Sequence, residues 1–324
     1  MILIVTNKKD YTADYLILEM KKRGIDFVRL NTEEFPTEVE LSLNITCENV
    51  EGKLIISNKI IELNEIQSIW YRRPVPSEPA RQITDESAKA FIIAESWETF
   101  EGLWKILPCF WMSHPDKLRV AESKLYQLRV ASSLGFIIPQ TLVTNSPHAA
   151  RHFYHSSSQS VIYKPQRHAR VIRKEKASLI YTNIIKEDHF EYFENVRFAP
   201  VLLQPYIQKK LEIRATVVCE QVFAVELHSQ EIPAARHDWR RVDASKLKHV
   251  PHRLPSKIAR KCIHLVKYLE LSFGAIDLIL TPDGEYVFLE INPNGQWAWI
   301  QQMCPEVRIR EAIINLLVSG GIGV

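Results

Sequence analysis

Residues 274–294 read GAIDLILTPDGEYVFLEINPN and have the pattern of a β-hairpin. Apolar residues fill 275–280 and 286–291. The Thr-Pro-Asp-Gly sequence between them is typical of a turn, because proline fixes φ and glycine permits positive φ. We therefore predict two paired antiparallel strands. Each strand carries one acid, Asp277 or Glu290, within an otherwise buried run.

These acids point to a metal site, because a buried carboxylate is costly unless it is paired or bound to a metal. Asn292 follows Glu290 by two residues and therefore shares its face of the strand. Three oxygen donors, Asp277, Glu290 and Asn292, with room left for phosphate oxygens suit Mg²⁺. The segment predicts a magnesium–nucleotide site. The plain alternative is an ion-paired acid at a strand end beside an ordinary edge-strand glutamate.

Composition sets broad limits on the class of protein. The chain of 324 residues is long enough for two or three packed units. Its net charge of +3 does not call for nucleic acid, and its five cysteines contain no Cys-x-x-Cys pair, so we expect no disulfide or zinc framework. We find no signal-peptide pattern and no apolar run long enough to cross a bilayer. We expect a cytoplasmic protein that binds neither nucleic acid nor membrane.

Two segments are locally basic. Residues 164–176 hold six lysines and arginines against one acid, and residues 236–261 hold nine against two. Such surfaces suit phosphates or an acidic substrate. Solvated helix and loop faces are an equally good interpretation of each segment taken singly.

The chain begins with a strand, a helix and a strand, which predicts a parallel sheet with a crossover helix. A long helix with an apolar stripe follows, and we assign its Trp97 and Trp104 to the core. Proline-rich breaks place the first domain boundary near residue 113. The helices are predicted over 10–23, 85–107, 122–134, 254–269 and 306–317, and the further strands over 1–5, 27–30, 160–163, 178–184, 201–204, 213–218 and 222–227.

Neither a GxGxxG nor a GxxxxGK[ST] motif occurs, which argues against a Rossmann dinucleotide site and a P-loop. Other groups must then neutralise a nucleotide. Lys164 ends an apolar strand, where a buried ammonium needs an anionic partner. Lys124 lies on a predicted helix that could face the same cleft. Taken alone, each lysine is more often a surface residue with a buried stem.

The Gln204-Pro205-Tyr206-Ile207 segment ends a strand and leaves Gln204 and backbone groups free for an adenine edge. Glu212 and Arg214 alternate along the next strand and so share a face. A carboxylate suits ribose hydroxyls and a guanidinium suits phosphate oxygens. A cross-strand ion pair is the alternative explanation.

The order of these elements resembles the ATP-grasp superfamily: a lysine, strand-Lys-Pro, Gln-Pro-Tyr-Ile, Glu-Ile-Arg, then Asp with Glu-x-Asn thirteen residues later. Several segments further resemble the graspetide synthetases, also called microviridin-type or omega-ester peptide ligases. The resemblance covers nearly the whole chain. Its segments are Ile69-Trp-Tyr-Arg72-Arg73-Pro74, Ala199-Pro-Val-Leu-Leu-Gln204, Asp238-Trp239-Arg240, Phe273-Gly-Ala-Ile-Asp277 and Phe288-Leu-Glu290-Ile-Asn292-Pro-Asn294-Gly-Gln296-Trp297.

The resemblance implies an α/β protein with the ATP-grasp fold. A pre-ATP-grasp α/β domain would span 1–113, a central α+β lid domain 114–198, and a C-terminal antiparallel-sheet domain with the metal site 199–324. ATP and Mg²⁺ would be the cofactors. The implied roles are Lys124 and Lys164 on the phosphates, Gln204 and the Tyr206 and Ile207 backbone on adenine, Glu212 on ribose, Arg214 and Arg240 facing the γ-phosphate and the substrate carboxylate, and Asp277, Glu290 and Asn292 on the metal.

One departure concerns the phosphate-covering loop, which is glycine-rich in many ATP-grasp enzymes. Here residues 166–176 are rich in arginine and histidine. We expect side-chain cations to replace backbone amides there. The sequence allows two roles for Arg72 and Arg73 equally well. They could face the substrate, or they could pair within the N-terminal domain.

The implied function is an ATP-dependent macrocyclase acting on a ribosomally made precursor peptide with a leader and an acidic core. Asp or Glu side chains would become acyl phosphates, and Ser, Thr or Lys side chains would attack them to form esters or amides. The resemblance also suggests a homodimer. Two alternatives remain: an amino-acid or glutamate ligase of the glutathione-synthase or ribosomal-protein-modifying type, and a non-catalytic nucleotide- or peptide-binding module.

Overall fold

The computed structural model of the chain describes residues 1–167, 170–173 and 176–321, which form an α/β structure with five sheets. Its helices are α1 (Tyr11–Lys22), α2 (Glu86–Ile106), α3 (Pro115–Ala121), α4 (Lys124–Ser133), α5 (Pro147–Ser156), α6 (Ser256–Tyr268), α7 (Ala298–Met303) and α8 (Ile309–Ser319). Its strands are β1 (Ile2–Thr6), β2 (Phe27–Asn31), β3 (Val39–Ile45), β4 (Val50–Ile56), β5 (Lys59–Glu62), β6 (Ser68–Tyr71), β7 (Phe110–Trp111), β8 (Leu142–Thr144), β9 (Val161–Lys164), β10 (Arg170–Arg173), β11 (Lys176–Leu179), β12 (Asn183–Ile184), β13 (Val201–Pro205), β14 (Leu211–Val218), β15 (Gln221–Leu227), β16 (His249–His252), β17 (Phe273–Leu280) and β18 (Tyr286–Asn292).

The N-terminal part contains a parallel sheet in the order β2-β1-β6-β7. The crossover helix α1 starts where the Asp10 carboxylate accepts the amides of Thr12 and Ala13, and it ends before Gly24, whose φ is +65°. The predicted strand–helix–strand beginning is confirmed. Strands β3, β4 and β5 form a separate antiparallel sheet.

Helix α2 begins after the N-cap Asp85 and packs Phe100, Leu103 and Trp104 into the core. The assignment of Trp104 to the core is confirmed, since its exposed fraction is 2%. Trp97 departs from that expectation, because it is only partly buried and lines a cleft.

The middle part is an antiparallel sheet in the order β12-β9-β13-β8, with α5 packed beside it. The predicted single strand over 178–184 is wrong, because the chain forms β11 and β12 with a break between them. In that break the Thr182 amide donates to Asp238 Oδ2 at 3.1 Å and therefore makes no hydrogen bond to a neighbouring strand. Helix α5 was not predicted, although Ser146 caps its start and Pro147 occupies its first position.

The C-terminal sheet has the antiparallel order β16-β15-β14-β17-β18. The predicted hairpin is confirmed as β17 and β18, joined by a turn in which Gly284 has a φ of +86°. Asp277 pairs with Glu290 across the ladder, and the register shifts immediately afterwards so that Leu278 faces Phe288. Leu289 is the extra residue, which makes this a β-bulge beside the predicted metal ligands.

The N-terminal and C-terminal sheets share one hydrophobic core. Buried residues of β1 and α1 pack in the same cluster as residues of β17, α7 and α8, including Trp297, whose exposed fraction is 1%. Over the three described ranges, no helix combines the length and apolar character needed to cross a bilayer.

Arg72 ties the two sheets together at the strand end of β6. Its side chain is 1% exposed, its Nη1 donates to Asn294 Oδ1 at 2.9 Å, and its Nε lies 3.6 Å from Asp10 Oδ2. The Asn294 amide in turn donates to the Tyr71 carbonyl at 3.2 Å. Arg72 is therefore an internal anchor that holds the loop after β18 against the N-terminal domain.

We predict that Arg72→Met lowers the free energy of unfolding by about 3–5 kcal/mol, because it leaves the buried Asp10 carboxylate without its cation. Urea denaturation measures this loss. Arg23→Met is the control, since Arg23 pairs with Glu19 at the surface and its loss should cost at most about 1 kcal/mol. Equal, small effects of the two substitutions would contradict an anchoring role for Arg72.

Candidate functional site

Two adjoining clefts contain every site residue predicted from the sequence. The first cleft lies between the middle sheet and the C-terminal sheet, and the second runs from there to the N-terminal domain. Four predicted residues line both clefts and so mark their junction: Lys124, Arg240, Asp277 and Glu290. The first cleft also takes in Lys164, Gln204, Tyr206, Ile207 and Glu212, and the second takes in Arg214 and Asn292.

The predicted metal ligands lie together at this junction. Asp277 Oδ1 accepts from Arg214 Nη1 at 2.7 Å, and Glu290 Oε2 lies 2.8 Å from Lys124 Nζ. The Asn292 amide donates to Asp277 Oδ2 at 3.3 Å. The two acids are thus ion-paired, as the plain alternative proposed, but by two different cations that both face the cleft.

Burial raises the pKa of Asp277, and Glu290 raises it further, although Arg214 opposes both effects. Burial acts on Glu290 in the same direction, but Lys124 and Arg240 outweigh it and hold the Glu290 pKa below its usual range. The side chains remain 18% and 17% exposed towards the cleft. A divalent cation would neutralise both carboxylates at once.

The donor set determines which ion fits. Within residues 1–167, 170–173 and 176–321, no group of three or more His, Cys, Asp or Glu side chains is arranged around a common point. The candidate site therefore consists of two carboxylates and one amide. Hard oxygen donors with space for other oxygens fit Mg²⁺ and do not fit a structural zinc ion.

Lys164 ends β9 inside the first cleft. Its pKa is lowered to about 8, mainly by burial and also by Lys124, Lys209 and Arg240, while Glu290 opposes this shift. Among the described residues, five lysines and arginines line this cleft: Lys124, Lys164, Arg167, Lys209 and Arg240. Such a cluster is stabilised by a ligand with several negative charges.

Gln204 lies at the apolar end of the first cleft, near Ile162 and Ile279. Its Nε2 donates to Thr141 Oγ1 at 2.9 Å, whereas its buried Oε1 lacks a hydrogen-bond partner among the described residues. A buried acceptor without a donor is costly, so this atom is suited to a ligand N–H.

The backbone at Tyr206 and Ile207 has fewer free hydrogen-bonding groups than the sequence predicted. The Tyr206 amide already donates to the Ser160 carbonyl at 2.6 Å. Within the described part of the chain, the Tyr206 carbonyl and the Ile207 amide remain for a ligand. The pair therefore presents one acceptor and one donor.

Glu212 is 8% exposed and accepts from Lys209 Nζ at 3.0 Å and from Ser229 Oγ at 2.7 Å. Burial raises its pKa, and Lys209 opposes that shift. Sequence reasoning missed Lys209, because the Gln-Lys-Lys sequence has the pattern of an exposed turn. The one local signal is that Glu212 follows Lys209 by only three residues.

Arg240 is held in a fixed orientation by Asp238. The Arg240 Nε and Nη2 atoms donate to the two Asp238 oxygens at 2.8 and 2.7 Å, and Asp238 also accepts the Thr182 amide. Burial would lower the Arg240 pKa, but the Asp238 carboxylate raises it above its usual value. The Asp-Trp-Arg segment therefore presents a permanent cation at the junction.

Arg214 approaches the loop after β18 closely. Its Nη2 donates to the Gln296 carbonyl at 3.4 Å, and a Cβ on Gly295 would lie 3.0 Å from that Nη2 and 2.7 Å from the Ala275 Cβ. Only glycine leaves this space open. The Asn-Gly-Gln segment is thus shaped around Arg214.

The second cleft extends from the junction to the N-terminal domain, where Arg73, Trp97 and Arg119 line it. The Arg73 side chain is exposed at this wall, whereas Arg72 is buried. The predicted cationic segment 166–176 is only partly described: Arg167 lines both clefts, and the side chains of 168–179 lie outside the described residues.

Comparisons with known proteins identify the family. The family of the MvdD pre-ATP grasp domain matches residues 1–119. A RiPP-associated ATP-grasp ligase of Chryseobacterium gregarium, where RiPP denotes a ribosomally synthesised and post-translationally modified peptide, was solved in complex with ADP and a leader and core peptide. It is 30% identical with a TM-score of 0.92, over 98% of this chain and 96% of that chain.

Two macrocyclases of Microcystis aeruginosa MRC are also similar. MdnC, solved bound with the precursor peptide MdnA, is 30% identical with a TM-score of 0.86, over 98% of this chain and 99% of that chain. MdnB is 33% identical with a TM-score of 0.80, over 98% of each chain. The comparison with curated protein sequences gave no match.

The chain belongs to the RiPP-associated ATP-grasp ligases, the graspetide synthetases. The family and the ATP-grasp fold expected from the sequence are both confirmed.

We predict that Lys164 titrates near pH 8 in the ligand-free protein. Glu290→Gln should lower this pKa further by removing an attractive negative charge, and Lys124→Met should raise it by removing a repulsive positive one. Lysine ¹³C NMR titration, assigned with Lys164→Arg, measures all three values. Shifts of the same sign in the two variants would contradict the proposed cation cluster.

Proposed function

We propose that the protein is an ATP-dependent macrocyclase that forms side-chain ester or amide crosslinks within a ribosomally made precursor peptide. The observation that carries this proposal is the junction of the two clefts, where two carboxylates, an amide and several cations face one space. The solved relatives support it, since two are macrocyclases and two were bound to peptides.

The first cleft fits ATP. The orphaned Gln204 Oε1 matches the amino group of adenine, and the buried Glu212 lies where ribose hydroxyls can reach a carboxylate. Lys124 and Lys164 would bind the phosphates. Asp277, Glu290 and Asn292 would hold Mg²⁺, which offsets negative charge on the phosphate oxygens when bound.

The second cleft fits the peptide. An Asp or Glu side chain of the acidic core would reach the junction, with Arg214 and Arg240 oriented to bind its carboxylate and the γ-phosphate. The carboxylate oxygen attacks the γ-phosphorus, which forms an acyl phosphate and releases ADP. A peptide hydroxyl or amine then attacks the acyl carbon, loses its proton and releases inorganic phosphate. Each ring thereby removes one water from the peptide.

Arg214 and Arg240 are suited to this role because each is already fixed by a carboxylate. Asp277 orients Arg214, and Asp238 orients Arg240 through two hydrogen bonds. Preorganised cations stabilise developing charge without reorganisation during the reaction. The same two arginines would bind the acyl phosphate until the nucleophile arrives.

We also propose that the chain divides into domains at 1–113, 114–198 and 199–324. It would act as a homodimer, and light scattering can measure the mass of that dimer. The peptide partner would carry a leader as well as an acidic core, and cations such as Arg73 and Arg167 along the clefts support that charge preference.

We predict that the protein, ATP, Mg²⁺ and the precursor peptide encoded near its gene give products that have each lost one water per ring. Mass spectrometry measures this loss, and mild base distinguishes esters, which it cleaves, from amides. Asp277→Asn should slow the reaction by roughly 100-fold or more, because it weakens the site that stabilises the transferred charge.

The matched control is Asp283→Asn, the same chemical change at the exposed turn of the same hairpin, which should react at the wild-type rate. An unchanged peptide mass, together with ADP release stimulated by free amino acids alone, would instead indicate an amino-acid or glutamate ligase.

We predict that Arg73→Gln raises KM for the peptide by roughly 10- to 100-fold, the effect of losing one charged hydrogen bond, while KM for ATP stays unchanged. Arg81→Gln makes the same charge change at an exposed position outside both clefts and should alter neither value. Steady-state kinetics decides the point. Equal effects of both variants would show that Arg73 contributes only to net charge.

A further inference from the structure

The strand that carries two of the three candidate metal ligands lies at the edge of its sheet. β18 pairs with β17 on one side, and on its other side an isolated bridge joins Val287 to Ile137. Beyond that bridge, every second residue directs its backbone N–H and C=O away from the sheet. Ile291 is such a residue, and it lies between Glu290 and Asn292. Its exposed fraction is 1%, so water cannot readily satisfy these groups.

The Gln127 side chain satisfies both groups. Its Oε1 accepts the Ile291 amide at 3.1 Å, and its Nε2 donates to the Ile291 carbonyl at 2.8 Å. The amide group thus replaces one residue of a neighbouring strand. Gln127 itself is 3% exposed, which keeps competing water away from the pair.

The same Nε2 also donates to the Ala121 carbonyl at 2.6 Å, at the C-terminal end of α3. Gln127 lies on α4 one turn after Lys124, whose ammonium contacts Glu290 at 2.8 Å. Helix α4 therefore contacts β18 in two places. The Lys124 ammonium contacts the Glu290 carboxylate, and the Gln127 side-chain amide binds the backbone of Ile291.

We propose that Gln127 is a positioning residue of the magnesium site. By fixing the backbone of Ile291, it sets the direction in which Glu290 and Asn292 project into the cleft. This inference rests on the proposed function, since it assumes that these residues bind Mg²⁺ with a nucleotide. Partners that orient metal ligands in this way typically change metal affinity by roughly 10- to 100-fold when removed.

The test uses Gln127→Met, which has similar volume and no amide, and Gln127→Glu, which keeps the acceptor but repels the Ile291 and Ala121 carbonyls. Mn²⁺ binding in the presence of ADP is followed by EPR, and ADP binding is measured separately without metal. We expect both variants to bind Mn²⁺ roughly 10- to 100-fold more weakly, with metal-free ADP affinity unchanged. Hydrogen exchange of the peptide containing Ile291 should become faster.

Gln301→Met is the matched control. Gln301 is another buried glutamine whose side chain binds backbone, because it accepts the Arg310 amide at 2.7 Å, and among the described residues it makes no hydrogen bond to β18. The Gln301→Met substitution should lower the Tm of the protein and leave its Mn²⁺ affinity unchanged. Wild-type Mn²⁺ affinity in both Gln127 variants, or equal weakening in Gln301→Met, would overturn the proposal.

The outcomes also separate this inference from the proposed function. If the unmodified protein binds no Mn²⁺ with ADP, the proposed magnesium site fails. Exchange at Ile291 then still decides whether Gln127 fixes the strand, because that measurement needs no metal. An unchanged rate of hydrogen exchange at Ile291 in both Gln127 variants would show that Gln127 does not fix the backbone of β18.

Discussion

The site depends on one unfavourable interaction, the repulsion between two carboxylates that lie opposite each other on paired strands. Asp277 and Glu290 are direct cross-strand partners, where like charges repel, and partial burial increases that repulsion. Arg214 and Lys124 offset it, each at one carboxylate. The fold therefore places each acid against its own cation before a ligand arrives. A divalent cation can then bind carboxylates that need little further organisation.

The cations that make this possible come from distant parts of the chain. Lys124 lies on α4, Lys164 at the end of β9, Arg214 on β14, and Arg240 follows the Asp238 turn. Their convergence requires that the middle sheet, the C-terminal sheet and helix α4 keep fixed relative positions. Asn294, two residues after Asn292, is held by Arg72 of the N-terminal domain. That domain consequently supports the loop that follows the candidate metal ligands, as well as lining the second cleft.

Local signals explain which features the sequence could predict. The hairpin and the β1-α1-β2 unit follow from apolar periodicity and turn residues, and both were predicted. The buried position of Gln127 could not be predicted, because its partner Ile291 lies 164 residues further along the chain. The engagement of the Tyr206 amide by Ser160 is equally non-local. The candidate ligands and the cations beside them were thus predictable, whereas Gln127, which binds the backbone between two of the ligands, was not.

The two clefts differ in a way that bears on the proposed reaction. Apolar residues such as Ile162 and Leu289 form part of the lining of the first cleft, which would suit the planar base of the proposed nucleotide. The second cleft continues to Trp97, far beyond what a free amino acid would fill. A peptide lying there can present its carboxylate at the junction and then its own hydroxyl or amine from the same side. In the proposed reaction the nucleophile would be at high effective concentration, because it would belong to the same bound chain as the acyl phosphate. Such an arrangement would favour ring closure within one peptide over transfer to water or to a second molecule.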